Sequence, residues 1–411
     1  MTTKASPKGT KSSRCKPIAK TEVDPVRIRE IAREIFGENL HAARLRSLVN
    51  GVVGTIEGAK MGIHAIGQAY ALSAGIKPKS GVNQTDRLLG NQGIRVYELQ
   101  QQLAGFVAGG RTELTLAMDW TDFDGDGHST LAVYVMTNHG RATPLAWHTY
   151  RKCELKGRMR EYECDMIELL HEWFDPNTRI TLLADRGFGD QKVYELLLTL
   201  GWDFVVRFRG NIHVTTRDGV TRTAQQWVGA RGRAKMLRQV RVTADEFEVP
   251  AVVVVWDKGM KQSWCLATSL SSHRASNVVK CYGRRFTIEE TFRDQKDPLF
   301  GMGLSATHIR TASRRDRLLL LGATAHILLT LLGAASERVG MDKYLKVNTC
   351  KRRTHSLYRQ GQYWYSAIPT MRQDWLIPLL RAFDDVLREH QSICSVLGSL
   401  CASDLHRQSG E

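Results

Sequence analysis

The chain is 411 residues long, 42% hydrophobic, with 58 Lys+Arg against 42 Asp+Glu and a formal net charge of +16. Length predicts two or three domains, and this apolar content excludes a wholly disordered chain. The charge points to a polyanionic partner, nucleic acid first, bound in a salt-sensitive way. A membrane surface fits less well, because no basic amphipathic helix with aromatic anchors stands out.

Residues 1–22 are rich in Lys, Ser and Thr and have no apolar signal core. They are expected to form a disordered basic arm rather than a secretory signal. Residues 23–110 read as a helical DNA-binding domain. Val26–Phe36 repeats apolar residues at three- and four-residue steps before Gly37, His41–Ser73 gives two more helices, and a turn through residues 75–79 leads to a short helix at 83–89. Helices, a Gly/Pro turn and a short polar-basic helix suit a helix-turn-helix-like unit, although small bundles of other purpose share the pattern.

Residues 111–208 change to a period of two. Strands are expected at 113–119, 131–137 and 142–150, then a helix at 159–174, a strand at 179–184, a helix at 191–200 and a strand at 202–208. Three antiparallel strands extended by βα units predict a mixed α/β sheet. Residues 209–278 look β-rich again and read as an insertion, with 251–256 as the strongest strand. Residues 279–335 return to the core and contain one helix from Tyr282 to Lys296, closed by Asp297-Pro298. Leu318–Ala335 is apolar enough to suggest a membrane span, but it contains His326 and two threonines, so a buried helix is the better reading. Residues 336–411 are helical and end in a polar tail from Ser403.

The chemistry sits at three places. Asp119 ends the first strand, Asp185 ends the fourth, and a carboxylate there is costly unless paired or metal-bound. At about 100° per residue, Tyr282, Arg285, Glu289 and Lys296 share one helical face, and Glu290 points elsewhere. A carboxylate set among a phenol, a guanidinium and an ammonium suits a divalent metal held against a phosphodiester. Alone, such a stripe reads more simply as a solvated face. With the two aspartates it offers three hard oxygen ligands for Mg²⁺ or Mn²⁺, and two ions about 4 Å apart would serve an in-line displacement at phosphorus.

Other site readings fail. Asp122–Gly127 begins like a calcium loop, but Val133 stands where the bidentate Glu belongs, so a hairpin turn is expected. His128, His139 and His148 are too far apart for a zinc motif. The eight cysteines form no Cys-x-x-Cys pair, which predicts reduced, mostly buried thiols in a cytosolic protein.

The pattern Tyr-x2-Arg-x3-Glu-x6-Lys at Tyr282, Arg285, Glu289 and Lys296 resembles the signature of DDE transposases of the IS-four family of bacterial insertion sequences. Met118-Asp119-Trp120-Thr121-Asp122 resembles that family's first Asp motif, and Ala184-Asp185-Arg186-Gly187-Phe188 its second. The resemblance spans roughly residues 40–351. It implies a ribonuclease-H-like core with a β insertion between the second Asp and the Glu. It also implies Asp119, Asp185 and Glu289 as catalytic metal ligands for Mg²⁺ or Mn²⁺, with Tyr282, Arg285 and Lys296 on the DNA backbone. Trp264 is similar to a family tryptophan that stacks on a flipped base, and a core Trp on a strand is the competing reading. The function so implied is cut-and-paste transposition. The enzyme would bind inverted-repeat ends and target DNA in the bacterial cytoplasm, with at least two protomers in the active complex. A catalytically inactive DNA-binding relic and a nuclease without strand transfer are the alternatives.

Overall fold

The computed structural model describes residues 25–398 apart from 38, 230, 231 and 300. The basic arm at 1–22 and the tail from Ser403 lie outside the described residues.

Five helices lead the fold: α1 (Pro25–Phe36), α2 (Ala42–Gly58), α3 (Ile63–Ala74), α4 (Pro78–Gly90) and α5 (Val96–Ala108). α4 begins five residues before the helix expected at 83–89, because Pro78 sits at its first turn, where a missing N–H costs nothing and φ is already helical. The sheet follows with β1 (Glu113–Phe123), β2 (His128–Val135) and β3 (Thr143–Arg151), then α6 (Met159–Trp173), β4 (Arg179–Ala184), α7 (Gln191–Thr199) and β5 (Asp203–Phe208). This is the expected succession of strands and helices.

Next come β6 (His213–Thr215), β7 (Thr221–Thr223), β8 (Lys235–Val242), β9 (Phe247–Val255) and β10 (Trp264–Thr268). All ten strands form one mixed sheet in the order β3-β2-β1-β4-β5-β10-β9-β8-β6-β7. The β-rich segment therefore extends the sheet, because β10 returns antiparallel to β5 and seeds the outer strands. Val252, Val253 and Val254 are buried on both faces of β9, as a central strand requires.

The segment read as one helix from Tyr282 is two: α8 (Ala275–Gly283) and α9 (Phe286–Lys296). Around Gly283 the backbone bonds shorten to three-residue closures, with Arg285 N–H donating to the Tyr282 carbonyl and Ile288 N–H to that of Arg285. Such closures tighten the chain between the two helices.

α10 (Ala312–Arg338) is long and apolar enough to cross a membrane, yet its most apolar stretch is entirely buried inside the fold. It is packed by β3, α2, α11 (Leu357–Ala367) and α12 (Gln373–Arg388), with α13 (His390–Leu397) beyond. α10 and α11 cross at glycines. A Cβ on Gly361 would lie 1.8 Å from the Leu329 carbonyl oxygen, and one on Gly333 1.9 Å from that of Leu357.

The run Arg314–Arg317 at the head of α10 does not form the exposed polyanion surface its charge suggests. Arg314 pairs with Asp86, and Arg317 donates to the carbonyls of Ile94 and Leu89. Arg315, fully buried, bonds Asp126 and lies 3.9 Å from the ring of Phe123. These contacts pin the β1–β2 turn, which is the hairpin expected for residues 122–127. The histidines also fall as expected: His128 and His139 are buried and His148 is exposed. The six described cysteines are all free.

Candidate active site

Asp119 is not at a strand end, since β1 runs on to Phe123 and Asp119 faces Ala132 across the β1–β2 hairpin. The parallel pairing is what stops there. β1 and β4 are in register from Glu113–Arg179 to Met118–Ala184, and β4 and β5 from Thr181–Asp203 to Ala184–Val206. The next residues on the three strands are Asp119, Asp185 and Arg207. The carboxyl ends of parallel strands are the usual place for a ligand in such sheets.

The end of α8 and the start of α9 close over this row. Arg285 donates through Nη1 to Asp119 Oδ2 at 2.9 Å and through Nη2 to Glu289 Oε1 at 2.8 Å, and Nη2 lies 3.8 Å from Asp185 Oδ2. The Tyr282 hydroxyl donates to Asp185 Oδ1 at 3.1 Å, with Arg207 Nη1 3.7 Å from the same oxygen. Three carboxylates from distant segments thus converge on one guanidinium. Their side chains are 22%, 32% and 50% exposed, whereas that of Arg285 is only 3% exposed. The carboxylates rim the site and the arginine lies beneath them.

The electrostatics follow from burial. Desolvation pushes the Asp119 carboxyl up to about 6, against the pull of Arg285 and with a further push from Asp185. Burial likewise raises the Tyr282 phenol above its ordinary value. Around Arg285, desolvation works against the charge, but Tyr282, Asp119, Asp185 and Glu289 outweigh it and hold the guanidinium above its usual range.

Lys296 stands farther along α9. Its ammonium donates to the Asp122 carbonyl at 2.6 Å and to the Thr121 hydroxyl at 3.2 Å, and burial lowers its pKa. Thus it clasps β1 past Asp119 rather than joining the carboxylates. Trp264 opens β10, half-buried, edge-on to Tyr282 with centroids 5.1 Å apart and tilted against Phe286 at 5.7 Å. Glu290 turns away to Arg293 and Arg141.

Two neighbours escaped the sequence reading. Arg207 carried a signal, a lone charge in the apolar run Phe204–Phe208. Glu163 carried none: it is buried, accepts from Trp120 Nε1 at 2.9 Å, contacts Arg160, and burial raises its carboxyl to about 7. Trp120 in turn donates its backbone N–H to Asp119 Oδ1 at 2.9 Å.

Among the described residues no three His, Cys, Asp or Glu groups lie close enough together to grip a metal ion as they stand. The donor set still fits a hard divalent cation, being all carboxylate oxygens, and a guanidinium stands in at their common point.

A family profile described as the transposase DDE domain matches residues 110–328, from just before β1 into α10. No curated protein matches the chain. The matched span covers more than half of the 411 residues and contains Asp119, Asp185, Glu289 and every residue now gathered around them. The chain belongs to the transposase DDE domain family.

Proposed function

We propose that this protein is a cut-and-paste transposase of the IS-four type. On this reading the order β3-β2-β1-β4-β5 is a ribonuclease-H-like core, and the helices before it recognise the inverted-repeat ends. The observation that carries the proposal is the convergence of Asp119, Asp185 and Glu289 on one point at the carboxyl ends of parallel strands. A structural ion pair needs one carboxylate for one arginine. Three, partly open to solvent, suit a cation of higher charge.

In this role Asp119, Asp185 and Glu289 would hold Mg²⁺ or Mn²⁺, two ions in the full site. Bound there, the metal supplies a nucleophile at neutral pH and stabilises the leaving oxygen. The chain's own groups do the rest. Arg285 and Lys296 supply positive charge for a phosphate in the transition state, Arg as a fork and Lys as a point charge. Tyr282 fixes Asp185 through its hydroxyl. Trp264 and Phe286 give an aromatic wall beside the site, suited to stacking on an extruded base. The cleaved 3′-hydroxyl would then attack target DNA at the same carboxylates, with two protomers for two ends.

The test uses purified protein, Mg²⁺ and a labelled duplex of the element's end, with target plasmid added. Wild type is expected to give cleaved ends and joined products, and Glu289→Gln to give neither while still binding the end. Cleavage by Glu289→Gln at the wild-type rate would sink the assignment. Cleavage without joined products would reduce the protein to a nuclease.

A further inference from the structure

Arg285 holds two possible partner sets that exclude each other. Its guanidinium is 3% exposed and shared among Asp119, Glu289 and Asp185, under the rings of Tyr282 and Phe286 at 5.8 and 5.4 Å. Its Nε is buried with no hydrogen-bond partner. In this arrangement it cannot touch a DNA phosphate, and the carboxylates are spread by the width of the guanidinium it presents. A metal ion needs carboxylate oxygens at 2.0–2.6 Å, far closer than a guanidinium draws them.

We infer that Arg285 is a guard cation that couples DNA binding to metal admission. Resting on the transposase reading above, the inference adds an order of events at that site. Without DNA, the guanidinium neutralises part of the carboxylate charge and weakens the site for a divalent ion. A phosphodiester entering the site offers the guanidinium a bidentate anionic partner, and the orphaned Nε gains an acceptor. As Arg285 moves to the phosphate, three carboxylates lose their cation and the site tightens for metal. By linkage the effect is reciprocal: metal favours the DNA-engaged position of Arg285 as much as DNA favours metal. Such coupling would keep the free protein from holding a charged, hydrolytic centre away from its substrate.

The experiment measures Mn²⁺ binding by the full chain using electron paramagnetic resonance of the free ion, with no turnover needed. Wild type, Arg285→Ala and Arg285→Lys are each titrated alone and with an end duplex, and their folding is checked by circular dichroism. Arg285→Ala alone is expected to bind Mn²⁺ about tenfold more tightly than wild type, within the 5–150-fold span of ordinary couplings. Arg285→Lys, which keeps the charge but loses the fork, should fall between. Duplex should tighten Mn²⁺ binding to wild type clearly more than to Arg285→Ala. If neither variant binds Mn²⁺ more tightly than wild type, the guard role is overturned. A separate control, Glu289→Gln added to Arg285→Ala, keeps the two questions apart. Should the tightened binding survive that change, the carboxylate assignment has failed rather than the guard.

Discussion

Asp119 and Asp185 are each the first residue beyond Met118 and Ala184, the last parallel pair between β1 and β4. Neighbouring strands lie about 4.8 Å apart, so two acidic side chains leaving one edge in register stand side by side. Their mutual repulsion is part of what raises the Asp119 carboxyl, and Arg285 is what makes the pairing tolerable. The relationship explains why one arginine can reach both.

The Asp119 charge carries a stability cost with a defined pH signature. Its folded value of about 6 lies above the ordinary 3.8, so folding favours the protonated form and stability falls as pH rises from about 4 to about 6. Asp119→Asn is neutral throughout. In metal-free buffer it is expected to stabilise the protein at pH 8 by about 1–3 kcal/mol, and by little at pH 4. Urea unfolding at the two pH values measures this, and an equal effect at both would contradict the burial argument. The same variant should lose end cleavage, giving a protein that is more stable and inactive.

Lys296 is poised between β1 and the site. If it also serves a backbone phosphate, Lys296→Met should weaken duplex binding across sequences and lower the log–log salt slope by about 1. Fluorescence titrations at several salt concentrations read both quantities. An unchanged slope with a lowered urea midpoint would assign Lys296 to anchoring Thr121 and Asp122 alone.

α9 is fixed from behind by Asp294, which is 2% exposed and pairs with Arg141 and Arg359, each at 2.5 Å. Removing one member of a buried ionic cluster leaves the others unpaired, and Asp294→Ala is expected to cost about 3–5 kcal/mol. Glu289 rides on the same helix, so cleavage should fall too, while Glu290→Gln on the exposed side leaves both properties near wild type. A loss below about 1 kcal/mol for Asp294→Ala would show that α9 is held by its apolar face instead.

The α10–α11 crossing predicts a purely structural lesion. Gly361→Ala places a methyl group 1.8 Å from a carbonyl oxygen that belongs to helix backbone and cannot yield. Overpacking of this kind costs about 3 kcal/mol. Differential urea unfolding should show it, whereas Gly105→Ala, where nothing lies within 4 Å, should be neutral or slightly stabilising.

Periodicity alone determined much of this protein. The period-two run at 113–119, the apolar run at 179–184 and the helical repeats at 159–174 and 191–200 reappear within a few residues, because each pattern specifies which of its faces the core covers. The signature around Glu289 likewise marked Tyr282, Arg285 and Glu289, which now cluster, and Lys296, which does not join them. Only the tertiary structure decided how they cluster. Helical arithmetic treated Tyr282 to Lys296 as one rod, but α8 ends at Gly283 and α9 begins at Phe286, and Tyr282 reaches Asp185 from a different helix than Glu289. The ends of the parallel pairing, which bring Asp119, Asp185 and Arg207 into one row, depend on register between strands some 20–70 residues apart, which no local pattern records. Burial of the Arg314–Arg317 run was illegible for the same reason, since charge reads as surface until a distant Asp86 or Asp126 supplies its partner. The chain names its carboxylates; the fold alone sets an arginine in their midst.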